Sequence, residues 1–413
     1  MRVALLAFLM AGAALAHAQA DPKLLAAAKA AEPATVQTLK ELVAIESGSA
    51  NVAGLAKMAD YAERRMKALG AQTERFKATR APGGPILQAT FTGKGRAKIL
   101  LLAHMDTVYQ EGILATQPQK QEGNRLYGPG IADDKGGIAV ILHALEILHQ
   151  AGWSDYARLT VLLNSDEELG SIGSGDLIAK VAAEHDYVLS CEPNEAKEVA
   201  KSESLVLAAA GTGLVTMQVT GKASHAGAAP DLGRNAVVEL SYQVLQTRDV
   251  AKGVPGTQLN WTQTTGGLVR NQIPEKAVAY GDMRLFVNNS DADRLLAALR
   301  AKVAESKLVP DTQTTITMSI NRPPYAADDR AKALGRKAQA IYLELDGRPL
   351  VLNPGIGGGT DAGFASLSGK AVVLESFGLA GYGYHARDEY IEIDSIVPRL
   401  YLMTRMLMEL GKS

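Results

Sequence analysis

Apolar runs and helix-period runs alternate along most of the chain. Residues 99–103 form an unbroken apolar run that ends at His104, and 159–163 and 187–190 read the same way. Between the first two, 137–151 carries Ile138, Ile141, Leu142, Leu145 and Leu148 on one helical face. Residues 42–69 read as helical with a Gly-Ser interruption near Ser47, and 177–183 as a short helix. Strands that are apolar at every position are covered on both faces. This predicts an α/β architecture, a mainly parallel sheet flanked by helices.

The texture changes between Gly213 and Ile320. Val215, Met217 and Val219 alternate with polar residues, as in a strand buried on one face only. A helix over 235–245, strands over 257–264 and 276–286, a helix over 291–306 and a strand through Ile316, Met318 and Ile320 follow. The order βαββαβ predicts a ferredoxin-like sandwich with one open face. A helix over 331–345, a strand over 371–375 and a helix over 395–410 then return to the first texture. The expected division is a discontinuous larger domain, 21–212 and 321–413, interrupted by a smaller one at 213–320.

Residues 1–20 stand apart. Arg2, an apolar stretch over 3–15, and Ala16-His17-Ala18 or Ala18-Gln19-Ala20 fit a secretory signal peptide cleaved near Ala18 or Ala20. The mature protein is expected to be secreted or periplasmic and free of the membrane, since no second apolar run reaches spanning length. With 413 residues, 47% hydrophobic and 21% charged, the rest is ordinary globular material. A net charge of −1 gives no sign of nucleic-acid binding. The single cysteine, Cys191, excludes an internal disulfide and reads as a buried thiol.

The chemistry lies where the apolar runs end. Ligands of open α/β sheets bind beyond the carboxyl ends of the strands. His104 follows one run, Asp166, Glu167 and Glu168 the next, and Glu192 the third, with His385 ten residues beyond Glu375. His104 and Asp106 are two apart and able to face the same way, and such a carboxylate commonly fixes a ligating imidazole. Asp133 sits in a glycine-bounded turn before a helix, where it or Asp134 also suits capping. Adjacent carboxylates at Glu167 and Glu168 need a cation, or one must hold a proton. His143, His149 and His185 read as structural or exposed.

His104-Met105-Asp106-Thr107-Val108, Gly128-Pro129-Gly130-Ile131-Ala132-Asp133-Asp134-Lys135-Gly136-Gly137, Asp166-Glu167-Glu168-Leu169-Gly170-Ser171 and Cys191-Glu192-Pro193 resemble the M20 metallopeptidases. So do Gly221-Lys222-Ala223-Ser224-His225-Ala226-Gly227, Asp282-Met283-Arg284, Gly357-Gly358-Gly359-Thr360-Asp361-Ala362 and Gly383-Tyr384-His385. The likeness runs in order through nearly all of the mature chain and is strongest toward the glutamate carboxypeptidase branch. It implies two zinc ions per subunit, bridged by Asp133, one completed by Glu168 and His385, the other by His104 and Glu192. The donors suit zinc and also manganese or cobalt. It further implies Glu167 as general base, Asp106 orienting His104, and a cis peptide after Asp133. His225 would reach from one subunit of a homodimer into the other's site, making the smaller domain a lid and dimerisation domain. Arg284, Asn271, Gly358, Gly359 and Thr360 would hold the free carboxylate of a peptide or small-molecule substrate.

The implied activity is that of an exported carboxypeptidase releasing a C-terminal amino acid, glutamate by resemblance, from peptides or N-acyl compounds such as folates. Lys201 and Arg322 are candidates to read a glutamate side chain. An N-acyl-amino-acid amidohydrolase of broader specificity would use the same catalytic groups. A non-catalytic, metal-dependent solute-binding protein is compatible with export and two domains, but leaves Glu167 without a purpose.

Overall fold

The structure, a computed structural model, describes residues 19–412. The expected signal peptide lies outside the described residues except for its last two positions. The chain is regular from Pro22, where the Asp21 side chain caps the first helix by accepting the N–H groups of Lys23 and Leu24.

The central sheet has six strands in the order Gln72–Lys77, Pro85–Thr92, Arg158–Asn164, Lys98–His104, Tyr187–Ser190 and Val372–Leu374. The last four run parallel, and the first two are antiparallel additions at one edge. The sheet is α/β and mainly parallel, as the apolar runs predict. In the strand ending at His104, Ile99, Leu101 and Ala103 join one hydrophobic cluster, and Leu100 and Leu102 join another. Both faces are thus buried, with each leucine contributing about 2 kcal/mol by the usual transfer scale. The helices Pro22–Val43, Lys135–Gln150 and Ile396–Gly411 pack on the first side, and Gly175–Ala182 on the second.

The chain leaves Lys98–His104 for the neighbour on one side, Arg158–Asn164, and then returns to the other side at Tyr187–Ser190. This switch opens a crevice beyond His104, where α/β sheets bind their ligands.

Four antiparallel strands, ordered Thr257–Gly266, Lys276–Leu285, Gly211–Thr220 and Gln313–Arg322, make the ferredoxin-like sheet. Its helices, Ala236–Thr247 and Ser290–Glu305, cover Val215, Met217 and Val219 with Leu240, Leu295 and Leu299. On the other face Leu214, Gln218 and Thr220 are exposed.

Several features depart from the sequence reading, two of them here. The expected helix over 42–69 is two helices, Pro22–Val43 and Val52–Ala68, separated by a longer break. A further sheet of two- and three-residue strands includes Ala380–Tyr382 and Tyr390–Glu392, whose connecting loop carries His385. Strands this short have no periodicity to read.

Candidate metal centre and active site

Two groups of donors meet in the crevice. In one, His104, Glu167 and Glu192 offer ligand atoms within 4.8 Å of one another; in the other, Asp133, Glu168 and His385 do the same. Asp133 links them, with Oδ1 3.0 Å from His104 Nε2 and Oδ2 3.3 Å from His385 Nε2. Glu168 lies 3.2 Å from His385 Nε2, and Glu192 3.8 Å from His104 Nε2. One carboxylate therefore turns an oxygen to each imidazole.

The local sequence dictates this placement. His104 ends a buried strand, and its Nδ1 lies 3.0 Å from the Asp106 carbonyl oxygen and 3.4 Å from the Asp106 carboxylate. Nε2 is left facing the donors. The Asp106 carboxylate also accepts the N–H groups of Glu167 and Glu168, at 3.1 and 3.2 Å, and the Ser49 hydroxyl at 2.7 Å. It thus fixes the Glu167–Glu168 turn as well as the imidazole. Asp134 caps the next helix at the Gly137 N–H, and the Asp133–Asp134 peptide is cis, as the resemblance implies. Gly137 admits no side chain: a Cβ there would sit 2.2 Å from the Cys191 carbonyl oxygen. Asp166 points elsewhere, toward the Gly173 N–H and the Ser174 hydroxyl.

Burial pushes Glu167 up to about 8, against the pull of Arg322, and raises Glu168 and Glu192 too. Bonds to Asp133 and Glu168 lift His385 to about 10. Burial opposes charge on His104, yet Asp106, Asp133 and Glu192 hold it well above the usual imidazole range. Against its burial, the two imidazoles hold Asp133 below the usual carboxylate range, while Glu167, Glu168 and Glu192 resist ionising for want of further positive charge. The charged contacts of Asp133, Glu168 and Glu192 are the two imidazoles, and Glu168 Oε1 is buried with no hydrogen-bond partner. The donor set fits two divalent cations, with imidazole and carboxylate on each.

The crevice widens into a cleft of about 680 Å³, ample for a small ligand. Arg284, Gly357, Gly358, Gly359 and Thr360 line it with the donors. The Arg284 fork is engaged by Asp282, at 2.8 and 3.0 Å. Arg322 is buried, 2.5 Å from Glu167 Oε1 and 2.6 Å from the Gly359 carbonyl oxygen, so its nearest charge is the candidate base. Lys201 is exposed and lies outside the cleft lining.

His225 and Asn271 also lie outside that lining. They flank a separate shallow depression on the smaller domain, where the Ala226 N–H donates to the Asn271 carbonyl. His225 Nδ1 accepts the N–H groups of Gly227 and Ala228, at 3.2 and 3.0 Å, so its exposed Nε2 carries the proton. Cys191 and His185 are buried, and His143 bonds Thr38 and Glu146.

Sequence reasoning missed Glu389, which is buried against the Asp133 turn, and the contact of Arg322 with Glu167. Glu389 stands in Ala386-Arg387-Asp388-Glu389, a stretch polar enough to read as solvent-exposed.

Fold and site together define a metal-dependent hydrolase of the peptidase type. Residues 100–409 match peptidase family M20/M25/M40, and the chain belongs to this family. It is 43% identical over 403 residues to carboxypeptidase G2 of Pseudomonas sp. (strain RS-16), covering 97% of this chain and 95% of that one. Acetylornithine deacetylase of Myxococcus xanthus is 31% identical over 261 residues, covering 59% of this chain and 64% of that one. Among solved structures, aminopeptidase PepT from Bacillus cereus ATCC 10987 superposes with a TM-score of 0.74 at 19% identity, covering 92% of this chain and 98% of that one. The M20 family metallo-carboxypeptidase Sso-CP2 from Sulfolobus solfataricus gives 0.72 at 18%, covering 92% and 99%. The chain is thus an M20 metallopeptidase on the carboxypeptidase G2 branch. No helix among the described residues is long and apolar enough to cross a membrane.

Proposed function

We propose that the protein is an exported dizinc carboxypeptidase that hydrolyses the amide bond to a C-terminal amino acid, glutamate by preference, in peptides or folate-like N-acyl compounds. The observation that carries this reading is the pair of donor groups joined through Asp133, with Glu167 among the donors nearest His104 and Glu192. His104 and Glu192 would hold one ion, Glu168 and His385 the other, and Asp133 both. Such ions supply Lewis acidity toward a water and toward the scissile carbonyl. Glu167 takes the water's proton and delivers it to the leaving nitrogen. Arg322 holds one oxygen of Glu167 in place.

Arg284 and the 357–360 turn would receive the substrate's free carboxylate. Arg284 offers the planar fork such a group needs, exchanging Asp282 for substrate. His225 and Asn271 would serve a second copy's cleft, with His225 Nε2, the nitrogen left free by the Gly227 and Ala228 N–H groups, donating to the developing oxyanion. A homodimer through the smaller domain would deliver them. Its helix Ala236–Thr247 exposes Val238 at 42% and Leu245 at 63%, and Thr257–Gly266 is an open sheet edge.

The similarity to acetylornithine deacetylase favours a second reading, release of a small acyl group from an N-acyl amino acid. The same catalytic groups serve both.

Glu167→Gln tests the mechanism. Turnover should fall by roughly 10²–10⁴-fold, the usual weight of a positioned base, while bound zinc stays at the wild-type level. Wild-type turnover in this variant overturns the assignment.

A further inference from the structure

The Gly128–Asp133 turn is gripped from two sides by buried charges. On one side the Glu389 carboxylate, fully buried, accepts three of its backbone N–H groups: Gly130 at 2.8 Å, Ala132 at 2.8 Å and Asp133 at 3.0 Å. The Gly128 N–H donates to the Glu389 carbonyl at 3.1 Å. On the other side the buried Lys135 ammonium donates to the Pro129 carbonyl at 3.0 Å and ties it to Ile45. Three backbone N–H donors converge on one carboxylate, much as they do in an anion-binding nest, here closed by a side chain of the same protein.

Glu389 also belongs to the loop that carries His385. The Tyr109 hydroxyl lies 2.7 Å from Glu389 Oε2 and 2.6 Å from the Ala386 carbonyl oxygen, pinning that loop to the same point. His385 itself has a left-handed backbone, with φ of 64°, so its direction depends on what holds the loop. Asp133 and His385 stand on loops distant in sequence, and their two ends meet in one carboxylate.

We infer that Glu389 is a positioning residue that sets the distance between Asp133 and His385, with Tyr109 and Lys135 bracing it, and so determines how tightly the centre binds its cations. This rests on the dizinc reading. Glu389 belongs to neither donor group and does not line the cleft. It acts because one rigid nest replaces two independently mobile loops, and the ordering cost that zinc would otherwise meet on binding is already met in the fold. Groups supporting metal ligands in this way typically change affinity by about 10- to 100-fold.

Zinc titration of the full-length apoprotein against a competing chromophoric chelator tests this. Glu389→Gln replaces one acceptor oxygen by an N–H₂ facing N–H donors. Zinc affinity should fall by about 10- to 100-fold, while the apo form keeps a wild-type circular-dichroism spectrum and excess zinc restores kcat. Unchanged affinity in a folded Glu389→Gln variant overturns the inference. Should that variant fail to fold, Tyr109→Phe removes one brace and leaves the carboxylate. Its affinity should fall by a smaller factor, and an unchanged value again overturns the inference. A wild type that binds no zinc overturns the metal reading itself, which separates the two failures.

Discussion

His104 and His185 are both buried histidines, and their neighbours give them opposite characters. Three carboxylates around His104 favour its charged form. The His185 ring hydrogen-bonds no carboxylate: it bonds the Val181 carbonyl at 2.7 Å and the Thr160 hydroxyl at 2.9 Å, and burial, with Arg158 adding to it against Glu184 and Asp186, lowers it to about 4. The unfolded chain titrates this ring near 6.5. Between those values the unfolded state binds the proton and the folded state does not, so stability rises with pH across the window and is fully present above it. The contribution lost by pH 4 is on the order of 3 kcal/mol. Chemical denaturation of wild type and His185→Gln should show a gap that narrows as pH falls from 6.5 toward 4. A constant gap contradicts the assignment. At this scale the sequence was informative where a residue sat in a punctuated motif. Asp133 between glycines and His104 at the end of an apolar run stand where their motifs place them. Glu389 and the Glu167–Arg322 contact were not legible, because each depends on chain segments more than a hundred residues apart meeting in space.

At the level of elements, legibility followed burial. The strands at 98–104 and 158–164 are apolar on both faces and cannot be mistaken for solvent-facing segments. Gln72–Lys77, an edge strand with no fully buried residue, left no such trace. The helix Ala236–Thr247 shows a third case. Its pattern gives a helix, yet Val238 and Leu245 remain uncovered once the ferredoxin-like sheet is packed. A second copy covering them would continue the sheet at Thr257–Gly266 and bring His225 and Asn271 to the other cleft. Leu245→Glu with Val238→Glu should therefore shift the protein from dimer to monomer in light scattering and lower kcat, without changing zinc content. A monomeric wild type with full activity contradicts the proposal.

At the scale of the molecule, the cleft is assembled from both parts of the fold. The ferredoxin-like sheet sends Arg322 to Glu167, and Arg284 toward the Gly357 carbonyl oxygen at 3.4 Å. The α/β part supplies the donors and the glycine turn. Under the proposed function, reaction chemistry would be concentrated on one part, and recognition of a free carboxylate at their junction. Its legibility was uneven for the same reason. His104, Glu168 and Glu192 follow the ends of apolar strands that a sequence reveals, whereas the lining of the cleft depends on how the two parts meet. Lys201, a candidate by charge alone, lies outside it. As proposed, the protein is a metal-dependent exopeptidase that requires a free carboxylate beside the scissile amide. A hydrolysis panel of N-acyl glutamates and neutral N-acyl amino acids tests it most directly, each with the carboxylate free or amidated, before and after chelation and with zinc restored. The account predicts cleavage of the free forms, fastest for glutamate, lost on chelation and regained with zinc; equal cleavage of free and amidated forms, or full activity after chelation, would contradict it.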